Sequence, residues 1–287
     1  MCMLYFTHMN EITIRKGAVE ASIDFEDGMN VTSLKYRGIE VIECDEERRR
    51  KGATYAIPVL FPTPNRTAGG SYSFDGEKVS AVMHGYARHS AFSLISRTES
   101  TVSGFSDFKA MSEPYDIAMC LEIKAEDNSL TWIFSIENNG EKEFPFSLAL
   151  HPFFRKDLFS TLTTNSVDEM EATEEKIPTG RMIRIGKDNG YDRYPVSAVD
   201  ADTVYYSDRG CIAELDGKDF SLVVKGDDSF KHLVIYGNPG SSFICAEPQT
   251  GSTDFINLHE KGFRKEASLL SLKKGEKKRL TVDFCFR

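Results

Sequence analysis

The chain is written almost throughout in short segments that alternate apolar and polar residues and then stop at Gly, Asn, Asp or Pro. Alternation with a period of two places successive side chains on opposite faces of a strand, so each segment predicts a strand with one buried face. Residues 11–15, 18–25 and 39–43 read this way, as do 117–124 and 130–137. The last two are separated by the polar run Ala125 to Ser129 and predict a hairpin. Further strands are expected at 203–206, 211–215, 219–224, 232–236, 242–246, 267–272 and 279–285. Helical periodicity is weak, and residues 160–176, polar, acidic and Thr-rich, read as loop. No repeat and no Pro/Gly/Ser linker divides the chain, so residues 1–287 are expected to form a single all-β domain, a large antiparallel β-sandwich. At 287 residues and 40% hydrophobic content the chain can bury one sizeable core.

The formal net charge of −9 argues against a polyanion partner, since nucleic-acid binding needs a clustered basic surface. The basic run Arg48 to Lys51 follows Asp45, Glu46 and Glu47, and reads as a solvated loop. No apolar run approaches the roughly 20 residues of a membrane helix. The N-terminal segment lacks the charged start, apolar stretch and small-residue site of a signal peptide, so a cytoplasmic protein is expected. The cysteines, Cys2, Cys44, Cys120, Cys211, Cys245 and Cys285, form no CxxC pair and mostly lie in apolar strand-like surroundings, which predicts buried reduced thiols.

Chemistry-bearing residues stand out where they interrupt this pattern. In FPFSLALHPFF, residues 144–154, Phe144, Phe146, Leu148 and Leu150 alternate with small residues that end in His151. A strand here would have one bulky face and one small face, with open space before the imidazole; the competing reading is a core histidine bonded to a carbonyl. In SFICAEPQTGSTD, residues 242–254, Glu247 precedes Pro248, which predicts a strand that ends with a partly desolvated carboxylate at its mouth. Arg66 sits in the proline-rich turn PVLFPTPNRTAGG and offers planar donors to an oxygen-rich ligand, or else pairs with a surface carboxylate. His84 precedes a glycine that permits close backbone approach, and Arg88 follows in the same HGYAR segment; the competing reading is an ordinary loop.

A histidine and a glutamate in different environments form a possible acid/base pair. The sequence has no GxSxG elbow and no glycine-rich phosphate loop. A metal held by His84, His151 and Glu247 is not expected, because their spacing does not match a metal motif.

The ordered set PNRTAGGSYSFDGE, the HG of HGYAR, LALHPFF, DADTVYY and CAEPQTG, from residue 58 to about 254, resembles the aldose 1-epimerase (mutarotase) family with its galactose mutarotase-like β-sandwich. The resemblance implies a cofactor-independent isomerase that interconverts the α and β anomers of a hexose. It implies Glu247 as general base at the anomeric hydroxyl, His151 as general acid at the ring oxygen and His84 as an assisting histidine. Arg66 and Asp202 are implied as hydroxyl-binding residues, with Asp200 a competing choice for Asp202. Phe153 and Phe154 are candidate cavity walls, although core packing is the preferred reading for both.

HGYAR departs from the HGG form of the free-galactose enzymes and is similar to the branch acting on hexose 6-phosphates, in which Arg88 would hold the phosphate, whereas PNRTAGG resembles the free-sugar and uncharacterised bacterial branches more closely. A carbohydrate-binding module on the same sandwich is the non-enzymatic alternative. The oligomeric state is not legible from the sequence.

Overall fold

The computed structural model describes residues 11–166, 168–185 and 191–287. Two large antiparallel sheets carry most of the chain. One has nine strands, with Lys277–Phe286 at its centre beside the predicted hairpin, Ile117–Glu126 with Ser129–Asn138. The other has eight strands, and Ala201–Tyr206, His232–Gly237 and Phe243–Gln249 run consecutively through its middle. A four-stranded sheet, Glu11–Lys16, Val19–Asp24, Asn30–Tyr36 and Ile39–Glu40, and two small two-stranded sheets complete the architecture.

The two large sheets meet over a shared apolar core, as alternation requires. Trp132 and Phe284 from the nine-stranded sheet pack together at a ring-centroid distance of 4.6 Å, and Phe284 meets Phe154 from the eight-stranded sheet at 5.4 Å. In Phe243–Gln249, Ile244 and Ala246 face this core. In His232–Gly237, Leu233 and Ile235 do the same. The intervening residues therefore point away from the core, and that outward face carries the candidate site.

Several local expectations are corrected. Residues 160–176 are not loop: Phe159–Thr164 joins the nine-stranded sheet and Asp168–Ala172 the eight-stranded one. Their Thr and acidic residues hid an alternation that only edge-side pairing makes useful. The strand expected at 39–43 covers only Ile39–Glu40, and the one expected at 267–272 begins at Leu270, because Arg264–Ala267 is a helical turn.

Residues 144–151 are two short strands in different sheets: Phe144–Phe146 pairs with Leu270–Leu272, whereas Ala149–Leu150 lies between Phe243–Gln249 and Val59–Leu60. The small face is not open along its length, since the buried Ser147 hydroxyl accepts from the Gly251 N–H at 2.9 Å. Cys211 and Cys245 are buried as expected, but Cys120 is exposed, and Cys2 lies outside the described residues. Among the described residues no helix is long and apolar enough to cross a membrane.

His232 is fully buried, with Nε2 3.0 Å from the Glu266 carbonyl and its ring edge-on to Tyr206. Burial pushes its imidazole down to about 4 from the ordinary 6.5. A folded-state value below the unfolded one means that the unfolded chain takes up the proton first as pH falls. The stability is therefore complete above about pH 6.5 and is lost as pH falls toward 4, by about 3 kcal/mol from this group. Urea titrations at stepped pH should show that slope, and His232→Gln should flatten its share of it; an unchanged slope would refute the assignment.

Candidate active site

Glu247 lies inside its strand, not at its end. The strand runs on to Gln249, with Pro248 opposite Leu233, and Glu247 is 1% exposed. Pro248 is tolerated because the strand's other neighbour changes there: Phe154–Arg155 pairs with Phe243 and Ile244, and Ala149 pairs with Gln249. Alternation puts Glu247 and Cys245 on the outward face, where Val234 and Tyr236 of the next strand join Glu247 in lining a cavity of about 330 Å³. His151, just past Ala149–Leu150, reaches the same cavity, and its Nε2 is 3.3 Å from Glu247 Oε1.

His84 enters from a loop. Its φ is +66°, and that of Gly85 is +70°. A β-carbon on Gly85 would lie 2.1 Å from the Phe61 carbonyl oxygen, so only glycine permits this approach. His84 Nδ1 accepts from the Asn65 N–H at 3.3 Å, and its ring meets that of His151 at 5.7 Å and 71°. Asn65 is itself held to the sheet, donating to Gln249 Oε1 at 3.1 Å and Thr253 Oγ1 at 2.8 Å. Arg66, next in the loop, approaches Asp202 at 3.9 Å, and both line the cavity. Asp200 is exposed and lies outside that lining. Arg88 also lines the cavity, its Nη1 donating to the Gly52 carbonyl at 2.9 Å. All six residues singled out from the sequence, His84, His151, Glu247, Arg66, Asp202 and Arg88, thus border one cavity.

Sequence reasoning missed one side of it. The basic run Arg48 to Lys51 is not a loop: it lies in and just after a helix, Glu46–Arg50, whose first turn is capped by the Asp45 carboxylate accepting from the Glu47 and Arg48 N–H groups. Arg49 is mostly buried and pairs with Asp24 at 2.7 Å. Arg48 and Lys51 line the cavity. The available signal was the D-E-E-R-R-R order itself, with its acidic first turn and basic last turn. Of the two candidate walls, Phe154 belongs to the core, whereas Phe153 stacks on His151 at 4.7 Å and 11°.

Burial sets the electrostatics. It pushes the Glu247 carboxyl well above its usual range, helped by the nearby Asp202 charge, and pushes the His151 imidazole well below 6.5, helped by His84, Arg48 and Arg88. His84 is held down at about 3, by burial first and then by Arg88 and Arg66. For Glu247 and His151 alike, the shift favours the uncharged form of the group. Cys245 completes a group whose ligand atoms, with those of His151 and Glu247, all lie within 4.8 Å of one another. Burial holds the Cys245 thiol well above its usual range, and a soft cation placed there would compete with substrate for the His151 and Glu247 atoms. The geometry thus provides a proton donor, a proton acceptor and a cationic rim around a space large enough for one small polar molecule.

Residues 10–285 match the family model described as aldose 1-epimerase. The fold is similar to that of a putative aldose 1-epimerase from Escherichia coli, with a TM-score of 0.82 and 14% identity over 96% of this chain and 98% of the other. A galactose mutarotase-like protein from Clostridium acetobutylicum aligns with a TM-score of 0.85 and 19% identity over 96% and 95%. One from Lactobacillus casei aligns at 0.80 and 19% over 96% and 100%. A family match that runs nearly end to end, on a sandwich shared with these structures, makes this chain a member of the aldose 1-epimerase family.

Proposed function

We propose that the protein is a cofactor-independent mutarotase that interconverts the α and β anomers of a hexose, with Glu247 as general base and His151 as general acid. The observation that carries this reading is the 3.3 Å approach of His151 Nε2 to Glu247 Oε1 on the floor of the cavity. Mutarotation moves protons at two oxygens bonded to the same carbon, so the donor and the acceptor must sit side by side.

The proton count agrees. The reactive state holds the carboxylate and the imidazolium, which differ from the resting neutral pair only by transfer across that contact. Glu247 takes the proton of the anomeric hydroxyl while His151 protonates the ring oxygen. The C1–O bond to the ring oxygen breaks, leaving the open-chain aldehyde with a neutral pair beneath it. Rotation about C1–C2 and the reverse transfers close the ring on the other face. A raised carboxyl pKa makes the stronger base and a lowered imidazole pKa the stronger acid, so burial favours both transfers. His84, neutral and beside His151, is placed to hydrogen-bond the ring oxygen or a neighbouring hydroxyl, and Arg66, Asn65 and Asp202 are placed to hold hydroxyls.

A second reading, a hexose 6-phosphate as substrate, is favoured by one observation. Arg48, Lys51, Arg66 and Arg88 line the cavity against the carboxyl groups of Asp202 and Glu247 alone. In a chain of net charge −9 this local excess of cations suits a small anion.

Polarimetry on freshly dissolved α-glucose, α-galactose and their 6-phosphates tests both readings. Glu247→Gln and His151→Asn should each lower kcat by about 10²–10⁴-fold, and wild-type rates in either variant would remove that residue from the mechanism. Bound sugar with no anomer exchange above the spontaneous rate would instead make the protein a binding module. If the substrate is phosphorylated, Arg88→Ala should reduce kcat/KM for the phosphorylated sugar at least about tenfold more than for the free sugar; equal losses would exclude Arg88 as the phosphate contact. In the pH profile of kcat/KM, the acid limb should fall well below the ordinary imidazole value of 6.5, since burial delays the second protonation of the pair. A limb at or above 6.5 would contradict that environment.

A further inference from the structure

A catalytic imidazole is ordinarily aimed by a hydrogen bond at its second ring nitrogen. His151 has at most a weak one: its Nδ1 is buried with no well-formed hydrogen bond to any described residue, and the only backbone group that favours its proton is its own. Its ring plane is set by something else.

The His151 ring lies nearly parallel to Phe153, at 4.7 Å and 11°. Phe153 in turn carries the Arg48 guanidinium, whose carbon is 4.7 Å from the phenyl centroid. Phe243 closes on Phe153 edge-on at 4.9 Å and 71°, and Tyr236 meets the His151 ring at 6.1 Å and 79°. Each member is anchored independently. Arg48 Nε donates to the Thr54 carbonyl at 2.7 Å, and Nη2 reaches the Thr54 hydroxyl at 3.4 Å. The Phe153 N–H donates to the Ala56 carbonyl at 2.9 Å, and its carbonyl accepts from the Glu43 N–H at 2.8 Å. The segment 43–56 therefore grips Phe153 twice by its backbone and once through Arg48.

We propose that Phe153 and Arg48 are positioning residues for His151: Phe153 is the plate that fixes the imidazole plane and turns Nε2 toward Glu247, and Arg48 holds the plate by a cation–π contact. The proposal rests on His151 as the proton donor. It gives Arg48, on the helix Glu46–Arg50, a purpose beyond adding a cation to the cavity rim. An aromatic stack fixes a ring plane without supplying a proton acceptor, so the proton on Nε2 stays available to substrate. Arg48 acts on charge as well. The groups facing His151 are Glu247 and Cys245 on one strand, Tyr236 on the next, His84 and Arg88 on the 84–89 turn, and Arg48 on the helix. Arg48, with His84 and Arg88, adds to burial in keeping the imidazole low.

The experiment uses full-length protein labelled with ¹⁵N-histidine, as wild type, Phe153→Leu, Arg48→Met and Arg48→Lys, with kcat and KM measured in parallel. Arg48→Met keeps the aliphatic stem and removes the charge. It should raise the His151 midpoint by about half a unit or more and move the acid limb of kcat with it. Arg48→Lys should return the midpoint toward wild type. Phe153→Leu should lower kcat about tenfold with KM changed less than about threefold, because the ring loses its plane and the cavity keeps its donors. In the NMR spectrum it should replace one His151 tautomer by an averaged signal.

Unchanged His151 signals and unchanged kcat in Phe153→Leu and Arg48→Met would overturn the proposal. So would a rise in KM alone, which would make Arg48 a substrate contact. Thermal unfolding midpoints identify a variant that fails to fold, and Arg48→Met then decides. If wild type proves inactive on every sugar, the functional reading fails, while the NMR midpoints and tautomers still test the seat.

Discussion

One carboxyl and one imidazole, placed against each other out of water, set the terms for the rest of the cavity. A lone buried charge is costly, and burial pushes Glu247 and His151, 3.3 Å apart, each toward its uncharged form. The space behind His151 is filled with aromatic rings, Phe153 and Tyr236. In the proposed mechanism a proton moves from carboxyl to imidazole, and the pair becomes an ion pair when a sugar offers two oxygens to it. Desolvation thus serves packing and chemistry through one arrangement. It depends on strand alternation: Ile244 and Ala246 bury themselves in the core, which leaves Cys245 and Glu247 no direction but the cavity side.

The charge around that pair runs against the charge of the whole chain. A net charge of −9 argues against an extended polyanion, but it says little about a pocket a few ångströms wide. Arg48, Lys51, Arg66 and Arg88 come from three separate segments and converge on one rim. All four lie outside the strands, so Glu247 stays on the rigid sheet while loops and a short helix set what surrounds it. The glycine after His84 belongs to the same division, since it lets the loop press onto the Phe61 carbonyl and brings the histidine down to the pair.

Much of this was legible in the chain because its signals are local. The hairpin Ile117–Glu126 with Ser129–Asn138 follows from alternation around a polar turn. His84 before its glycine, Glu247 before its proline, His151 after its small residues and Asp202 at a strand entry are all visible as interruptions of a pattern. The failures share a cause. Residues 160–176 look like loop because the strands there pair through backbone groups while carrying Thr and acidic side chains outward, and pairing partners fifty residues away leave no local mark. Arg48 looks solvated because a run of charges normally is; nothing adjacent in sequence reveals that Phe153 lies beneath its guanidinium.

By itself, then, the sequence determined an all-β chain of antiparallel strands, the membership of its signature segments in one family pattern, and the residue types available for acid/base work, since each of these depends on neighbours along the chain. Only the tertiary structure decided that Glu247 sits within a strand in full burial, that its oxygen meets His151 across 3.3 Å, and that Phe153 and Arg48 stand behind that histidine. Distance, desolvation and stacking are properties of residues nearly a hundred positions apart brought together, and pKa shifts arise from that meeting and not from the side chains alone.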